Sequence, residues 1–185
     1  MKEADSCRIN DLILRAKNGE KAAFAEIYRD YFTPVCRYLY VRTGHKAAAE
    51  DLAQIVFLKV YLAISRFEFS AEKKLLPYFF TVARNTVIDY YRRKKIPAVD
   101  ADRLWDLADP GQNGEEQIIK QEQKKEILAA LRELNFEQQE AIINKYLNGL
   151  ANNEIAKILG KTEAAVRQLQ CRGLKKLRII LKKYD

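Results

Sequence analysis

Basic side chains are concentrated in the C-terminal stretch that follows residue 162. The apolar residues of this stretch recur at intervals of three and four, which predicts a helix with one stripe facing a core: Val166, Leu169, Gly173, Leu174, Leu177 and Leu181. The basic residues mostly lie off that stripe, and they are Arg167, Arg172, Lys175, Lys176 and Arg178. A helix with cations on its solvent face has the chemistry to bind the phosphates and base edges of a nucleic acid.

A shorter helix and a tight turn precede this basic helix. The shorter helix has a small apolar face formed by Ile155, Ala156 and Leu159. Gly160 can adopt the positive φ that ends a helix, and the hydroxyl of Thr162 can cap the helix that follows. This arrangement over Ala151–Arg178 predicts a helix-turn-helix, whose second helix enters the DNA major groove. Two helices of an ordinary bundle would show the same pattern, and that alternative stays open at this point.

A second candidate for nucleic-acid contact lies between residues 66 and 95. The apolar spacing predicts a helix over Leu75–Arg93 with a core stripe of Leu76, Phe79, Phe80, Ala83 and Val87. A different face carries Asn85, Asp89 and Arg92, with Arg84 beside them. The helix ends in basic residues and follows a loop, Arg66–Lys74, that contains Phe67 and Phe69. Such cations, aromatic rings and polar groups suit single-strand binding, although cations also complement a helix dipole and aromatic residues also form cores.

A third candidate surface lies on the helix predicted over residues 49–64. Its core stripe repeats at three and four over five turns. Ile55 and Leu58 fall off this stripe and form a second apolar patch, which Asp51 and Gln54 flank. An exposed patch of this kind would suit docking to a partner protein, and burial inside the domain is an equally weighted alternative.

Composition limits the kinds of protein this can be. The 185 residues are 48% hydrophobic and carry a net charge of +8, so the chain should fold and present basic faces. Only seven Gly and four Pro suit a mostly helical protein. Three widely spaced cysteines and one histidine offer no metal site and no histidine-based catalysis, so we expect no cofactor and no enzyme activity. Neither a membrane span nor a signal peptide is visible, which predicts a cytoplasmic protein.

Charge divides the chain into three parts. Residues 98–117 hold six acidic residues and one basic residue, whereas the segments before and after are both basic. This acidic segment lacks helical periodicity and contains turn-forming pairs at Pro110-Gly111 and Asn113-Gly114. We therefore predict an all-α fold of two small helical domains, residues 1–95 and 120–185, joined by an extended acidic linker over residues 96–119.

Four segments in this order resemble the sigma factors of bacterial RNA polymerase. They are DLILRAKNGEKAAFAEIYRDYF, AEDLAQIVFLKVY, YFFTVARNTVIDYYRRKK and the predicted helix-turn-helix. The resemblance is to the small extracytoplasmic function (ECF) group of the sigma-70 family. It implies a promoter-specificity factor that binds core RNA polymerase, recognises the −35 and −10 promoter elements and helps to melt DNA. A stand-alone helix-turn-helix regulator that binds DNA as a dimer is the alternative.

The resemblance assigns roles to residues of the N-terminal domain, which corresponds to sigma region 2. The clamp helices of core polymerase would be bound by Asp51, Gln54, Ile55, Phe57 and Leu58. The −10 element would be bound, with one base flipped out, by Phe67, Phe69, Tyr78, Arg84, Asn85, Asp89, Arg92 and Arg93. Tyr78 stands where the family commonly has a tryptophan.

The resemblance also assigns the C-terminal domain to sigma region 4. The −35 element would be bound by Lys161, Thr162, Glu163, Ala164, Arg167, Gln168, Gln170, Cys171, Arg172 and Lys175. The segment Ile127–Leu147 would help to hold the polymerase flap tip, and the acidic linker would run toward the RNA exit channel. The implied partners are core polymerase, promoter DNA and an anti-sigma factor that could be membrane-bound, with no small-molecule substrate. Ala151 replaces the serine that usually caps the first helix of the pair, so either Asn152 caps the helix one residue later or its first turn frays.

Overall fold

The computed structural model describes residues 2–66, 74–94 and 126–182. Every regular element in these ranges is helical, which confirms the predicted all-α fold class. None of the described helices is long and apolar enough to cross a membrane.

The chain divides into two compact units. One comprises Met1–Thr43 and Ala47–Ala98, and the other comprises Gly44–Lys46 and Val99–Asp185. Each unit has its own helices and its own apolar core, so each is described by itself.

The first unit is built from four helices: α1 (Lys2–Lys17), α2 (Lys21–Thr43), α3 (Lys46–Ala63) and α4 (Leu75–Lys94). A 3₁₀ turn, Ile64–Arg66, follows α3. Arg15 donates hydrogen bonds across the α1–α2 turn to both carboxylate oxygens of Glu20, at 2.8 and 2.5 Å, and this contact lowers the pKa of Glu20.

Aromatic rings form the centre of the first unit. Phe57 of α3 packs against Tyr28 of α2 and Phe79 of α4, with ring centroids 4.6 and 4.7 Å apart. Tyr31 of α2 stacks on Phe79 at 5.3 Å, and burial raises the pKa of Tyr31 to about 12. These contacts join α2, α3 and α4 around one aromatic centre.

Helix α4 is also fixed by two hydrogen bonds to its neighbours. The ammonium group of Lys59 on α3 donates to the hydroxyl oxygen of Thr86 at 3.1 Å. The hydroxyl of Tyr91 donates to the main-chain oxygen of Arg42, at the end of α2, at 2.7 Å. The core stripe of α4 differs from the prediction at its start, because Leu75 is buried and Leu76 is only partly buried.

The second unit contains α5 (residues 126–132), α6 (Phe136–Ile142), α7 (Asn152–Leu159) and α8 (Glu163–Leu181). A capping box begins α6: Asn135 Oδ1 accepts a hydrogen bond from the Gln138 amide at 2.9 Å, and Gln138 Oε1 accepts one from the Asn135 amide. A π-helical turn, Ile143–Leu147, continues α6. These elements surround a core that includes Ile143, Ile155 and Val166.

A buried polar ladder supports the π-helical turn. Glu140 and Asn144 are both fully buried. The side-chain amide of Asn144 donates to the main-chain oxygen of Glu140 at 2.9 Å and to its carboxylate at 3.3 Å. Asn148 in turn donates to Asn144 Oδ1 at 3.0 Å. Buried polar groups need such partners, so the ladder stabilises the turn between α6 and α7.

The predicted turn between α7 and α8 has the expected geometry. Gly160 ends α7 with φ 63° and ψ 37°, the left-handed conformation that glycine adopts without strain. Thr162 Oγ1 accepts a hydrogen bond from the Ala165 amide at 3.2 Å and caps α8. The predicted helix-turn-helix is therefore confirmed in its order, in its turn and in the roles of Gly160 and Thr162.

The start of α7 differs from the prediction. Ala151 is the N-cap residue, and the carboxylate of Glu154 accepts a hydrogen bond from its amide at 2.8 Å. The prediction that Asn152 caps the helix is wrong, since Asn152 is already the first residue of α7. Its side chain accepts a hydrogen bond from Gln170 instead.

Candidate nucleic-acid and protein-docking surfaces

Helix α3 presents an exposed apolar face with polar residues at its N-terminal end. Ile55 and Leu58 are exposed, with 58% of Leu58 accessible to solvent, so the alternative that this patch is buried inside the unit is wrong. Asp51 and Gln54 are exposed beside them. Because these side chains extend from a helix fixed by the aromatic core, they form a preformed patch that is apolar at its centre and polar at one end.

Phe57 does not belong to this exposed surface. Only 3% of Phe57 is exposed, because its ring is enclosed by Tyr28, Phe32 and Phe79. Phe57 was assigned to the docking residues, and the structure corrects this assignment: its ring packs α3 against α2 and α4.

The exposed face of α3 extends further than the sequence prediction. Leu62 is 69% exposed one turn after Leu58, and Tyr61 beside it is also exposed. The ring of Tyr61 meets that of Phe24 on α2 edge to face, with centroids 4.8 Å apart. Leu62 was predictable, since it lies four residues after Leu58, whereas the packing of Tyr61 on α2 depends on tertiary structure.

Helix α4 carries a polar face that the aromatic core leaves uncovered. Asn85 and Arg93 are exposed, and Arg92 forms an ion pair with Asp89 at 3.0 Å. Arg84 and Tyr78 are partly buried. The predicted spacing of Asn85, Asp89 and Arg92 on one helix therefore holds, while Phe67 and Phe69 lie outside the described residues.

Helix α8 presents a long polar face to solvent. Its exposed members among the predicted contacts are Thr162, Glu163, Ala164, Arg167, Gln168, Cys171, Arg172 and Lys175. Arg167 lies 3.7 Å from Glu163 one turn earlier, an exposed pair that a phosphate could displace at little cost. The cations and amides needed for backbone and base contacts thus lie together on one side of the helix.

Two further predicted DNA contacts, Lys161 and Gln170, have partners on other helices of the second unit. Lys161 is partly buried and forms an ion pair with Glu137 at 2.8 Å, which joins the turn to the first turn of α6. Gln170 is only 8% exposed, and its amide donates to Asn152 Oδ1 at 3.1 Å. Gln170, which the resemblance assigns to the −35 contacts, therefore occupies a place on the packed stripe of α8. Leu174, predicted for that stripe, is exposed instead.

The segment Ile127–Leu147 contributes exposed apolar side chains to the second unit. Ile127, Tyr146 and Leu147 are exposed, the last two in the π-helical turn. Among the residues that the structure describes, no group of His, Cys, Asp and Glu could hold a metal ion.

Comparison with known proteins identifies the class to which this architecture belongs. Two family models match the chain: Sigma-70 region 2 over residues 27–96 and Sigma-70, region 4 over residues 124–177. The chain is 33% identical over 180 residues to the ECF RNA polymerase sigma factor BldN of Streptomyces coelicolor, covering 97% of this chain and 68% of that protein. It is also 33% identical over 156 residues to the ECF RNA polymerase sigma factor SigM of Bacillus subtilis, covering 84% and 93% of the two chains.

A solved structure shares the fold. CnrH, determined in complex with the cytosolic domain of CnrY, superposes with a TM-score of 0.74 at 18% identity, covering 96% of this chain and 99% of CnrH. The chain belongs to the ECF sigma factors of the sigma-70 family.

Proposed function

We propose that this sigma factor directs core RNA polymerase to promoters by holding two DNA elements with its two units. The observation that carries the proposal is that region 2 and region 4 occur in one chain, and that each has an exposed face of suitable chemistry. Helix α3 offers an apolar face to protein, whereas α4 and α8 offer polar and basic faces to DNA. The protein acts without catalysing a reaction of its own, as a cytoplasmic subunit of polymerase.

The first step is docking on the clamp helices of core polymerase. Ile55 and Leu58 bury apolar area against the clamp, and the flanking Asp51 and Gln54 set its register through polar contacts. Burying one large aliphatic side chain contributes about 1.5–3 kcal/mol, so two such residues and their neighbours supply a substantial share of the affinity. The exposure of Leu62 extends the same contact along α3.

The second step is recognition of the −35 element by helix α8 as duplex DNA. The exposed cations Arg167, Arg172 and Lys175 neutralise phosphates, and Gln168 presents an amide for a base edge. The capped, helical N-terminus of α8 directs the first turn toward the DNA backbone. Ile127, Tyr146 and Leu147 of the same unit contact the flap tip of polymerase.

The third step is opening of the −10 element on helix α4. Flipping a base out of the duplex costs a few kcal/mol, so the protein must supply stacking and edge contacts in return. Asn85 and Arg92 lie on the exposed face for edges and phosphates, and the partly buried Tyr78 offers a ring. Phe67 and Phe69, in the loop before α4, complete the proposed set.

An anti-sigma factor is the proposed regulatory partner. Support comes from CnrH, whose solved structure contains the cytosolic domain of CnrY. A partner that covered the exposed face of α3 would compete with polymerase, because both would bury Leu58 and Leu62. Regulation would then act on docking, before any promoter is bound.

Run-off transcription with purified core polymerase on genomic fragments tests the proposal. We expect discrete transcripts only when both core and this protein are present, and weak or undetectable specific DNA binding by the protein alone. Binding of the free protein to two-fold-symmetric sites, without any new transcript from core, would contradict the proposal and would identify a stand-alone dimeric regulator.

A further inference from the structure

The buried amide of Gln170 is a feature of helix α8 that DNA contact does not explain. Gln170 lies one turn after Val166 and one turn before Gly173 on the packed stripe, whereas Gln168 and Cys171 beside it are exposed. An amide in such a place needs a hydrogen-bond partner within the protein, because a buried donor without one is destabilising. The burial of Gln170 therefore indicates a contact inside the unit rather than a contact with DNA.

That contact joins α8 to the start of α7. Gln170 Nε2 donates to Oδ1 of Asn152 at 3.1 Å. Asn152 lies eight residues before Gly160, and Gln170 lies eight residues after Thr162. The chain already connects the two helices at the Gly160 turn, so the hydrogen bond fixes them to each other far from that turn. An angle between two helices is determined when they are joined at two separate points.

Two further contacts hold the same side of α8. Gly173 lies so close to α6 that a Cβ atom at this position would be 2.5 Å from Ile142 Cδ1. Lys176 donates a hydrogen bond to the main-chain oxygen of Glu133, before the start of α6. Gln170, Gly173 and Lys176 are thus spaced by three residues, and each contacts another part of the second unit.

We infer that Gln170 and Asn152 form a positioning pair that sets the angle of α8, and that neither side chain reads a base. The inference rests on the proposed recognition of the −35 element by α8. Base readout requires side chains to be held within a fraction of an ångström, so a small rotation of α8 would displace Arg167, Gln168 and Arg172 together. Loss of the pair then weakens contact with every base pair, whereas loss of a reading residue alters preference at one.

The test uses holoenzyme assembled from the full chain and core polymerase. The variants are Gln170→Ala, Asn152→Ala, the double variant, and Gln168→Ala as the matched control at an exposed position of the same helix. Dissociation constants are measured on a promoter fragment obtained from the run-off assay and on fragments with each single base-pair change in the −35 element. Circular dichroism at the assay temperature establishes that each variant is folded.

Either single variant of the pair should weaken binding about fivefold on every fragment, as expected for the loss of one hydrogen bond. The double variant should bind no more weakly than the single ones. Asn152→Asp, which keeps the acceptor, should bind like the wild type. Gln168→Ala should instead change the preference at one base pair.

Replacing the amides of the pair with carboxylates keeps the inference testable even if an alanine variant does not fold. In Gln170→Glu the amide of Asn152 can turn and donate to the new carboxylate, so binding should persist. Gln170→Glu combined with Asn152→Asp places two carboxylates together, and promoter binding should be lost while affinity for core is retained.

Three results would overturn the inference. The first is a change of preference at a single base pair in Gln170→Ala that Asn152→Ala does not share. The second is unchanged promoter affinity in both alanine variants, and the third is full binding by the paired carboxylate variant. A wild-type holoenzyme that did not distinguish the promoter from its single-base-pair variants would instead contradict the proposed function, and with it this inference.

Discussion

Leu58 is exposed in the middle of helix α3, with Ile55 and Leu62 exposed on the same side. Single apolar residues scattered on a surface are common, whereas a row of them on one helix face is typical of protein-contact sites. At the scale of the residue, this row is where the proposed affinity for polymerase resides. The acidic and amide groups of Asp51 and Gln54 add direction to the contact rather than area.

Leu58→Asp should weaken binding to core polymerase by at least about tenfold, because it replaces apolar area with a charge that loses hydration in the contact. Leu14→Asp is the matched control, since Leu14 is similarly exposed but lies on α1. Fluorescence titration of labelled protein with core measures both affinities. Equal affinities for the two variants would show that the exposed face of α3 is not the docking surface.

Removing polar groups from helix α4 should separate promoter opening from promoter binding. In Arg84→Ala combined with Asn85→Ala, we expect the open complex to decrease more than the closed complex, because edge contacts offset the cost of flipping only after the duplex opens. Permanganate reactivity of unpaired thymines measures opening, and a mobility shift at low temperature measures closed binding. Equal loss of both would contradict a role in melting.

The sequence revealed which side chains lie off a helix stripe, but it could not reveal what covers them. Ile55 and Leu58 fall off the core stripe by spacing, and only the packed structure establishes that no described helix lies over them. Gln170 shows the reverse case, because glutamine is usually a surface residue and here it occupies a buried position. In both cases exposure depends on neighbouring helices far away in the chain.

At the scale of the element, the helix-turn-helix was the most predictable part. Gly160 and Thr162 act locally, through backbone conformation and a cap within one turn, so their roles follow from residue type. The polar ladder of Glu140, Asn144 and Asn148 was not predicted, because the sequence does not show that these residues are buried by the packing of other helices. The same is true of the close approach of Gly173 to α6.

Ala151→Ser should stabilise the second unit by about 1 kcal/mol. The backbone at this N-cap position is extended, with φ −74° and ψ 154°, and Glu154 already supplies one hydrogen bond of a capping box. A serine hydroxyl would supply the other by accepting from the Glu154 amide. Hydrogen exchange of amides in α7 measures the gain, and unchanged protection would contradict it.

Removing the N-cap of α8 is the converse of adding one to α7. Thr162→Ala removes the hydroxyl that accepts from the Ala165 amide at 3.2 Å, so α8 should lose about 1 kcal/mol. Hydrogen exchange in the first turn of α8 measures the loss. Thr162→Ser, which keeps a hydroxyl, should retain most of the protection, and equal loss in both variants would argue against capping.

At the scale of the whole molecule, two units with different DNA faces are joined in one chain. The proposed factor therefore measures the distance between two promoter elements as well as their sequences. The charge pattern of the sequence indicated this division, because an acidic segment separates two basic ones. Two domains that each bind weakly can achieve specificity together when a third body, the polymerase, holds both.

Changing the spacing between the −35 and −10 elements should therefore reduce transcription. Each base pair turns the duplex by about 34°, so one inserted pair displaces one element relative to the other by rotation and by length. Run-off transcription on a series of spacer lengths should show a single optimum. A flat response would contradict simultaneous contact by the two units.

Exposed and packed positions of α8 lie on different sides of the helix, so the two sets can be changed separately. The exposed positions, such as Arg167, Gln168, Cys171 and Arg172, are separate from the packed positions Val166, Gln170 and Gly173. Promoter preference should therefore be transferable by grafting only the outward residues of another sigma factor onto this helix. The packed residues form a scaffold to be left unchanged, so a family of regulators with different targets could be made from one unaltered core.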